Sequence, residues 1–286
     1  MQNEDRLNIL FLMKVFEVGG QEVVTATLAD TFIKKGHQVV IASFKQPNDM
    51  MVKRTNPAVR FYTIGDFKYS KENVDVVRRI LLENHINVVI NQWGLPYVPC
   101  KVLNEAKEGM AVKTIAIYHN SPDTNARIKD VEIALSETHN PLKKAMLYAK
   151  MFAFTQITSR SMKYVYQHTD LYMVLSSSFV KKFKEFTGIT HPSHLQVLTN
   201  PVTIDSSSYD YSLSKKQKEI IYMGRIDFNQ KRVYRVVDTW AKLEPVFPDW
   251  KLTIVGDGTA RKDIEKQVKE YGLQRVSFEG FQQPKP

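Results

Sequence analysis

The sequence contains very little cysteine, with only Cys100 among its 286 residues. One thiol excludes an intrachain disulfide, and it also excludes a zinc site assembled from several cysteines. Because proteins without disulfides are typical of reducing compartments, we expect a cytoplasmic protein.

Long hydrophobic runs are missing as well. The polar segment 1–6 is followed by an apolar stretch that Lys14 and Glu17 interrupt, so we do not expect a secretory signal. No uninterrupted apolar stretch approaches the length that a membrane-spanning helix needs. The histidines other than His119 show no metal-ligand spacing, so we expect no metal site.

Acidic residues are in short supply. The chain has 30 Asp and Glu against 40 Lys and Arg, which gives a formal net charge of +10. This excess indicates an anionic partner, whether nucleic acid, a phospholipid surface or a phosphorylated substrate. No nucleic-acid recognition motif accompanies the charge, so we expect no nucleic-acid partner. The hydrophobic content of 43% is that of an ordinary globular protein.

The chain does contain a regular alternation of apolar strands and amphipathic helices. The first helix is predicted from Glu22 to Lys35, where Gly36 ends it. Strands are predicted at 9–12, 39–42, 60–64, 86–91, 112–118, 171–175 and 194–198. Strands that alternate with helices favour an α/β fold with a parallel sheet covered on both faces. We predict that residues 1–202 form one such domain.

The alternation is interrupted by a basic segment at about 123–168. It is far longer than the ~2 to 6 residues of an ordinary strand-to-helix loop, so we expect a helical insertion. From Asn140 to Phe186 there are eight Lys and Arg but only two acidic residues, with Met and Phe interleaved. One interpretation is binding to an anionic membrane surface. The other is a solvated helix whose apolar face joins the core.

A second domain is predicted after a polar linker. Residues 203–218 are rich in Ser, Lys and Asp and follow the turn signal Asn200-Pro201. Residues 219–286 then contain strands at 219–223, 251–255 and 276–279 with helices between them. This is one βαβαβ half of a doubly wound domain, so we expect the sequence to be a truncated copy of a longer protein.

The first candidate site lies where strand 219–223 gives way to a helix predicted to start near Asn229. Gly224, Arg225 and Lys231 occupy this connection, where helix N–H groups and two positive charges favour a bound anion. The alternative is an ordinary solvated basic loop. Gly256-Asp257-Gly258 forms the next strand-to-helix connection of the same sheet, either as a second ligand-facing loop or as a tight turn.

Two further candidates lie in the first domain. Gly19 and Gly20 stand between the first strand and the first helix, where backbone N–H groups can approach a phosphate or a sugar hydroxyl. They also suit a simple turn. His119 follows strand 112–118 at the end where open parallel sheets bind ligands. It can bond a substrate hydroxyl, or it is an ordinary surface histidine.

These features together resemble the retaining GT-B glycosyltransferases of family 4. The resemblance covers nearly the whole chain, with the motifs in the right order. In the first domain it rests on Gly19-Gly20-Gln21-Glu22 and Lys35-Gly36-His37-Gln38-Val39. In the second it rests on Asn200-Pro201-Val202, Gly224-Arg225, Gln230-Lys231-Arg232, Pro248-Asp249-Trp250-Lys251-Leu252, Val255-Gly256-Asp257-Gly258 and Val276-Ser277-Phe278-Glu279-Gly280.

The resemblance implies a GT-B fold of two Rossmann-like domains and a nucleotide-sugar donor. Arg225 and Lys231 would hold the donor diphosphate, and His119 would contact the donor sugar. The family's Gly-rich loop corresponds to Gly19 and Gly20. Enzymes of this kind use no metal for the transfer and need no cofactor. They transfer the sugar with retention, by front-face attack in which the leaving phosphate takes the acceptor's proton.

The resemblance also implies an acceptor that is a glycan or lipid-linked, as in surface polysaccharide synthesis at the inner face of a membrane. Family members carry a Glu-containing motif beyond the point where this sequence ends, so we expect residues 1–286 alone to bind donor weakly or not at all. Two alternatives stay open. One is a noncatalytic module that binds anionic membranes or an acidic partner, and the other is a GT-B nucleotide-sugar epimerase.

Overall fold

The computed structural model describes residues 6–46, 48–203, 212–229 and 231–282, which fall into two compact units. The first unit ends at residue 205 and the second begins at residue 206. Most of the predicted linker, at 204–211, lies outside the described residues.

The first unit is built on a parallel sheet of seven strands, and all seven predicted strands are present. They are β1 Asn8–Val15, β2 Gln38–Lys45, β3 Arg60–Thr63, β4 Val88–Asn91, β5 Lys113–Tyr118, β6 Leu171–Val174 and β7 Leu195–Val197. Their order in the sheet is β3-β2-β1-β4-β5-β6-β7. The central strand β1 is buried on both faces, which explains its continuous apolar sequence Ile9–Met13.

Among the described residues of the first unit, six α-helices lie between these strands. They are α1 Gly20–Lys34, α2 Lys71–Glu83, α3 Tyr97–Ala106, α4 Ala126–Glu137, α5 Pro141–Gln167 and α6 Ser177–Thr187. Helices α2 and α3 cover one face of the sheet through a core that includes Val77, Ile80 and Leu103. Helix α1 contributes Ala29 to the core on the opposite face. The fold is therefore three-layered, with its sheet in the middle.

The strand order reverses direction between β1 and β4. Parallel strands of this kind open a crevice at their carboxyl ends at such a switch point, and ligands bind there. The connections that leave the two strands at this edge are residues 16–19 and 92–96. His119 follows the adjacent strand β5 and lies at the same edge.

The predicted helical insertion consists of α4 and α5. The 27-residue α5 begins at Pro141, where the Asn140 side chain accepts hydrogen bonds from two backbone N–H groups of the first turn. Its second half joins the core through Met162, Val165 and Tyr166. Its first half does not, and several large apolar side chains are exposed there. In the described part of the chain no helix is both long and apolar enough to cross a membrane.

The second unit has a smaller parallel sheet of three strands in the order β10-β9-β8. Its elements are β8 Glu219–Met223, α7 Tyr234–Leu243, β9 Lys251–Val255, α8 Arg261–Glu270 and β10 Val276–Gly280. The helices pack on the sheet through Ile226, Val237, Trp240, Ile254 and Ile264, all of which are buried.

The predicted start of a helix near Asn229 is wrong, because α7 begins five residues later at Tyr234. The Asp227 carboxylate accepts a hydrogen bond from the backbone N–H of Lys231 at 2.9 Å, which stabilises a turn in place of a helix. Arg232 then adopts a left-handed backbone conformation with φ of 51°. The segment that carries Arg225 and Lys231 is therefore a loop.

Candidate functional site

The glycine pair of the first unit forms the entry to α1 at the switch point. Gly19 is the N-cap residue in an extended conformation, and Gly20 is the first helical residue. A side chain on Gly19 would overlap the carboxylate of Glu22, whereas one on Gly20 would meet open space. The pKa of Glu22 is raised, mainly because the carboxyl is buried. The loop is therefore covered by a carboxyl group of the first helical turn.

His119 lies at the same edge of the sheet and is partly buried. Its Nε2 atom is 2.7 Å from Oε1 of Gln92, the residue that follows β4. Burial lowers the pKa of His119 to about 4, and a hydrogen bond with the side chain of Asn200 acts in the opposite direction. The imidazole is therefore neutral at pH 7 and suited to hydrogen bonding with a neutral group such as a hydroxyl.

Gln92 connects the glycine loop with His119, and the sequence did not point to it. Its backbone carbonyl accepts a hydrogen bond from the Gln21 side chain at the start of α1. Its backbone N–H donates to the carbonyl of Leu12 in β1 at 3.0 Å. The signal that was available is the pair Asn91-Gln92, two polar residues that end a buried strand at the switch point.

Arg225 and Lys231 of the second unit share a partner in Asp227. The Arg225 Nε atom is 3.0 Å from one carboxylate oxygen, and the backbone N–H of Lys231 donates to the other. The Asp227 side chain is mostly buried, whereas the Arg225 side chain is 60% exposed. One carboxylate thus organises the loop that carries both predicted cations, and Asp227 is a second residue that the sequence did not single out.

The glycines of the second unit are required by the close approach of two loops. A side chain on Gly256 would overlap the carbonyl of Gly224, and one on Gly258 would overlap the carbonyl of Ile226. The loops are joined by a hydrogen bond from the N–H of Ile226 to the carbonyl of Asp257, at 2.9 Å. Gly256 and Gly258 therefore bring the second connection against the loop of Arg225 and Lys231.

Two other features bear on the chemistry of the site. Within the described ranges, no group of three or more His, Cys, Asp or Glu side chains is arranged to hold a metal ion. The serine run after β6 begins with the N-cap of α6, since the Ser176 side chain accepts a hydrogen bond from the N–H of Ser178. The run therefore caps the helix.

The sequence matches two families in succession. Residues 18–206 match the family described as Glycosyltransferase Family 4, and residues 204–285 match Glycosyl transferases group 1. The chain belongs to glycosyltransferase family 4. The matched ranges include the glycine loop, His119 and the loop of Arg225 and Lys231.

Curated relatives of this glycosyltransferase are bacterial enzymes. The GalNAc-α-(1→4)-GalNAc-α-(1→3)-diNAcBac-PP-undecaprenol α-1,4-N-acetyl-D-galactosaminyltransferase of Campylobacter jejuni is 24% identical over 283 residues, which cover 96% of this chain and 68% of the relative. A lipopolysaccharide 1,6-galactosyltransferase of Salmonella typhimurium is 28% identical over 116 residues, 40% of this chain and 31% of the relative.

Solved structures share the fold. The lipopolysaccharide outer core galactosyltransferase WaaB in its apo form gives a TM-score of 0.60 at 18% identity and covers 96% of this chain and 68% of its own. HepE of Anabaena in complex with UDP and glucose gives 0.62 at 16% identity, with 97% and 70% covered. This glycosyltransferase therefore has the GT-B fold, with two Rossmann-like units on parallel sheets.

Proposed function

We propose that the protein transfers a sugar from a nucleoside diphosphate to a hydroxyl of a glycan or lipid-linked acceptor, with retention. The observation that carries this proposal is the loop after β8, where Asp227 organises Arg225 and Lys231 at the carboxyl end of a parallel strand. Parallel sheets bind ligands at this end, and two cations match the two phosphates of a nucleoside diphosphate.

The two cations would act on the leaving group. When the bond between the sugar C1 and the diphosphate oxygen breaks, that bond's electron pair stays on the diphosphate. The positive charges of Arg225 and Lys231 are therefore most stabilising in the transition state. The acceptor hydroxyl oxygen attacks C1 from the same face, and its proton passes to the leaving phosphate oxygen. No metal or cofactor takes part in this proposal.

The first unit would contribute to sugar recognition. The neutral imidazole of His119 lies beside the glycine loop at the switch point, where a sugar hydroxyl can reach it. Gly19 and Gly20 leave the N–H groups of the first turn of α1 close to the same edge. Gly224, Gly256 and Gly258 would let backbone approach the nucleotide in the second unit.

The acceptor and the process are proposed from the relatives. The Campylobacter jejuni relative acts on an undecaprenol-diphosphate-linked glycan, and the Salmonella typhimurium relative on lipopolysaccharide. We therefore propose that the acceptor here is a growing, lipid-linked surface polysaccharide, and that the protein works at the inner face of the membrane.

The proposal is tested by incubating the protein with UDP-sugars and GDP-sugars and with diphosphoundecaprenol-linked sugars, followed by mass spectrometry. We expect a mass increase of one sugar residue, release of nucleoside diphosphate, and loss of product in the Arg225→Gln and Lys231→Gln variants. Lys242→Gln, at the opposite end of α7, is the matched control and should remain active. Donor that changes into its epimer without transfer would contradict the proposal and favour the epimerase.

We further propose that the first half of α5 binds an anionic phospholipid surface. Leu142, Met146 and Phe152 are 78%, 74% and 68% exposed. Leu142, Met146, Ala149, Ala153 and Ile157 follow a spacing that places them on one face of the helix. Isolated exposed apolar residues are common, but a continuous apolar face of four turns is not.

Charge identifies the partner of this face. Helix α5 contains three lysines and no acidic residue between residues 141 and 157. Lys143 and Lys150 flank one side of the apolar face, the arrangement in which lysine ammonium groups reach phospholipid headgroups, while Lys144 lies on the opposite side of the helix. Each such lysine near an anionic leaflet contributes about 1 kcal/mol to binding.

Vesicle sedimentation tests this surface. We expect binding to vesicles of phosphatidylglycerol and phosphatidylethanolamine, weakened by salt, and little binding to phosphatidylcholine alone. Replacing Leu142 and Met146 with Ser should abolish binding. Replacing Leu82 with Ser, an exposed apolar residue on α2, should have no effect. Equal binding by the α5 variant would contradict the proposal. Vesicle binding without sugar transfer would favour the noncatalytic module.

A further inference from the structure

Gln92 is a fully buried polar residue behind His119. The side chain has no solvent exposure, whereas the imidazole in front of it is partly exposed. The Gln92 backbone is held on both sides, by the N–H bond to Leu12 and by the bond from the Gln21 side chain. The position of the amide is therefore fixed by β1, β4 and α1, and does not depend on His119.

The contact between the two side chains determines where the imidazole carries its hydrogen. The Gln92 atom in contact with Nε2 of His119 is the carbonyl oxygen, at 2.7 Å. A carboxamide oxygen only accepts hydrogen bonds, so with the amide in this orientation the hydrogen of a neutral ring lies on Nε2. Nδ1 then keeps its lone pair and acts as an acceptor.

The amide nitrogen of Gln92 lowers the stability of the fold. Among the described residues, the Nε2 atom of Gln92 is one of four buried side-chain N or O atoms that have no hydrogen-bond partner. A buried donor without an acceptor is destabilising, and a methionine of similar size would remove it. Residues that are costly to the fold are characteristic of functional sites.

We propose that Gln92 is a positioning residue that holds His119 as the Nε2–H tautomer and so presents Nδ1 as an acceptor for a sugar hydroxyl. The tautomer rests on the contact with the Gln92 oxygen, and the side chain of Asn200 is a second hydrogen-bond partner of the same imidazole. The sugar hydroxyl rests on the proposed function. Gln92 acts through His119 and need not touch the donor.

Nitrogen-15 NMR of the histidine-labelled, ligand-free protein tests the tautomer, with the His119 signals assigned by their absence in His119→Gln. We expect a protonated Nε2 and an unprotonated Nδ1 in the wild type. In Gln92→Met the hydrogen should shift towards Nδ1, while the urea midpoint stays the same or rises. An unchanged tautomer in Gln92→Met would overturn the proposal. A lower urea midpoint beside an unchanged tautomer would assign Gln92 a structural role.

A charge-changing variant gives an independent readout. In Gln92→Glu the carboxylate should stabilise the imidazolium and raise the pKa of His119 by more than one unit. The matched control is Asn91→Asp, because Asn91 is also buried with an unpartnered amide nitrogen, but its oxygen accepts from the backbone N–H of Trp93. Equal pKa changes of His119 in both variants would contradict a specific contact.

The sugar part is tested separately by kinetics. In Gln92→Met, kcat/KM for the donor sugar should fall at least tenfold while the affinity for UDP, which lacks the sugar, stays within twofold. A changed tautomer with unchanged kcat/KM would overturn the positioning role and leave the proposed transfer intact. Absence of transfer in the wild type would instead overturn the proposed function, because the NMR result does not depend on activity.

Discussion

The two units place their candidate residues at the same position of a parallel sheet, the carboxyl ends of the strands, but in opposite surroundings. In the first unit His119 is a neutral, partly buried imidazole against the buried amide of Gln92. In the second, Arg225 is mostly exposed and ordered by Asp227. The first environment suits uncharged hydroxyl groups and the second suits phosphate, so the difference predicts which part of a nucleotide sugar each unit binds.

The glycines of the two units differ in the same way. Gly20 has no neighbour that a side chain would meet, whereas Gly256 lies against the backbone of Gly224. At the first-unit loop an added side chain would meet the flexible Glu22 side chain or open space, whereas the second-unit loop is packed backbone against backbone. A glycine motif in the sequence does not distinguish these cases, because both follow a strand and precede a helix.

The largest expected effect tests this packing. Gly256→Ala should lower the free energy of unfolding of the second unit by about 2–4 kcal/mol, since the added methyl overlaps a carbonyl and φ is +136°. Gly20→Ala should change stability by less than about 0.5 kcal/mol. Urea unfolding followed by Trp240 and Trp250 fluorescence, in a Trp93→Phe background, measures the second unit. Equal, small effects of both substitutions would mean that the loops are not in contact.

A smaller effect tests whether the cations act by charge alone. Asp227→Ala adds net positive charge but releases the loop, so we expect UDP affinity to fall about tenfold, or 1.4 kcal/mol. Asp227→Asn, which keeps an acceptor for the N–H of Lys231, should lose less. Calorimetric titration at constant ionic strength gives the affinities. Tighter binding by Asp227→Ala would show that charge outweighs loop order.

The last effect concerns pH and the neutrality of His119. Burial lowers its pKa to about 4 in the folded state, against an ordinary value of 6.5. Between these values the unfolded state binds the proton and the folded state does not. The free energy of unfolding therefore falls as pH drops from 6.5 towards 4, by at most about 1.4 kcal/mol per pH unit.

Comparison with His119→Gln isolates this contribution from that of other titrating groups. Urea unfolding of the first unit, followed by Trp93 fluorescence at pH 7, 6 and 5, should show a steeper loss for the wild type than for the variant. Parallel pH profiles would mean that His119 is not held neutral by the fold.

The sequence was sufficient for the strands, their parallel arrangement and the family. These depend on apolar periodicity and on glycines at strand ends, which are local properties of the chain. The start of α7 was mispredicted because the Asp227 side chain competes with the helix for backbone N–H groups. The spacing of apolar residues, on which the prediction was based, contains no information about that competition.

Contacts between residues that are far apart along the chain could not be predicted from the sequence. Gln92 and His119 are 27 residues apart and meet only because β4 and β5 are neighbours in the sheet. The sequence left two interpretations of the basic insertion. The core-packing interpretation describes the second half of α5, and membrane binding by the first half stays a proposal. Met162 and Val165 join the core, while Leu142 and Met146 remain exposed. Which half packs depends on where α5 leaves the sheet, which is a property of the tertiary structure.

The central claim is that the second unit binds the diphosphate and the first unit binds the sugar. Calorimetric titration of wild type, Arg225→Gln and His119→Gln with UDP, and with the UDP-sugar that supports transfer, tests it most directly. Arg225→Gln should weaken both ligands by about tenfold or more, while His119→Gln should weaken the UDP-sugar and leave UDP within about twofold. Loss of UDP affinity in His119→Gln, or unchanged UDP affinity in Arg225→Gln, would contradict the account.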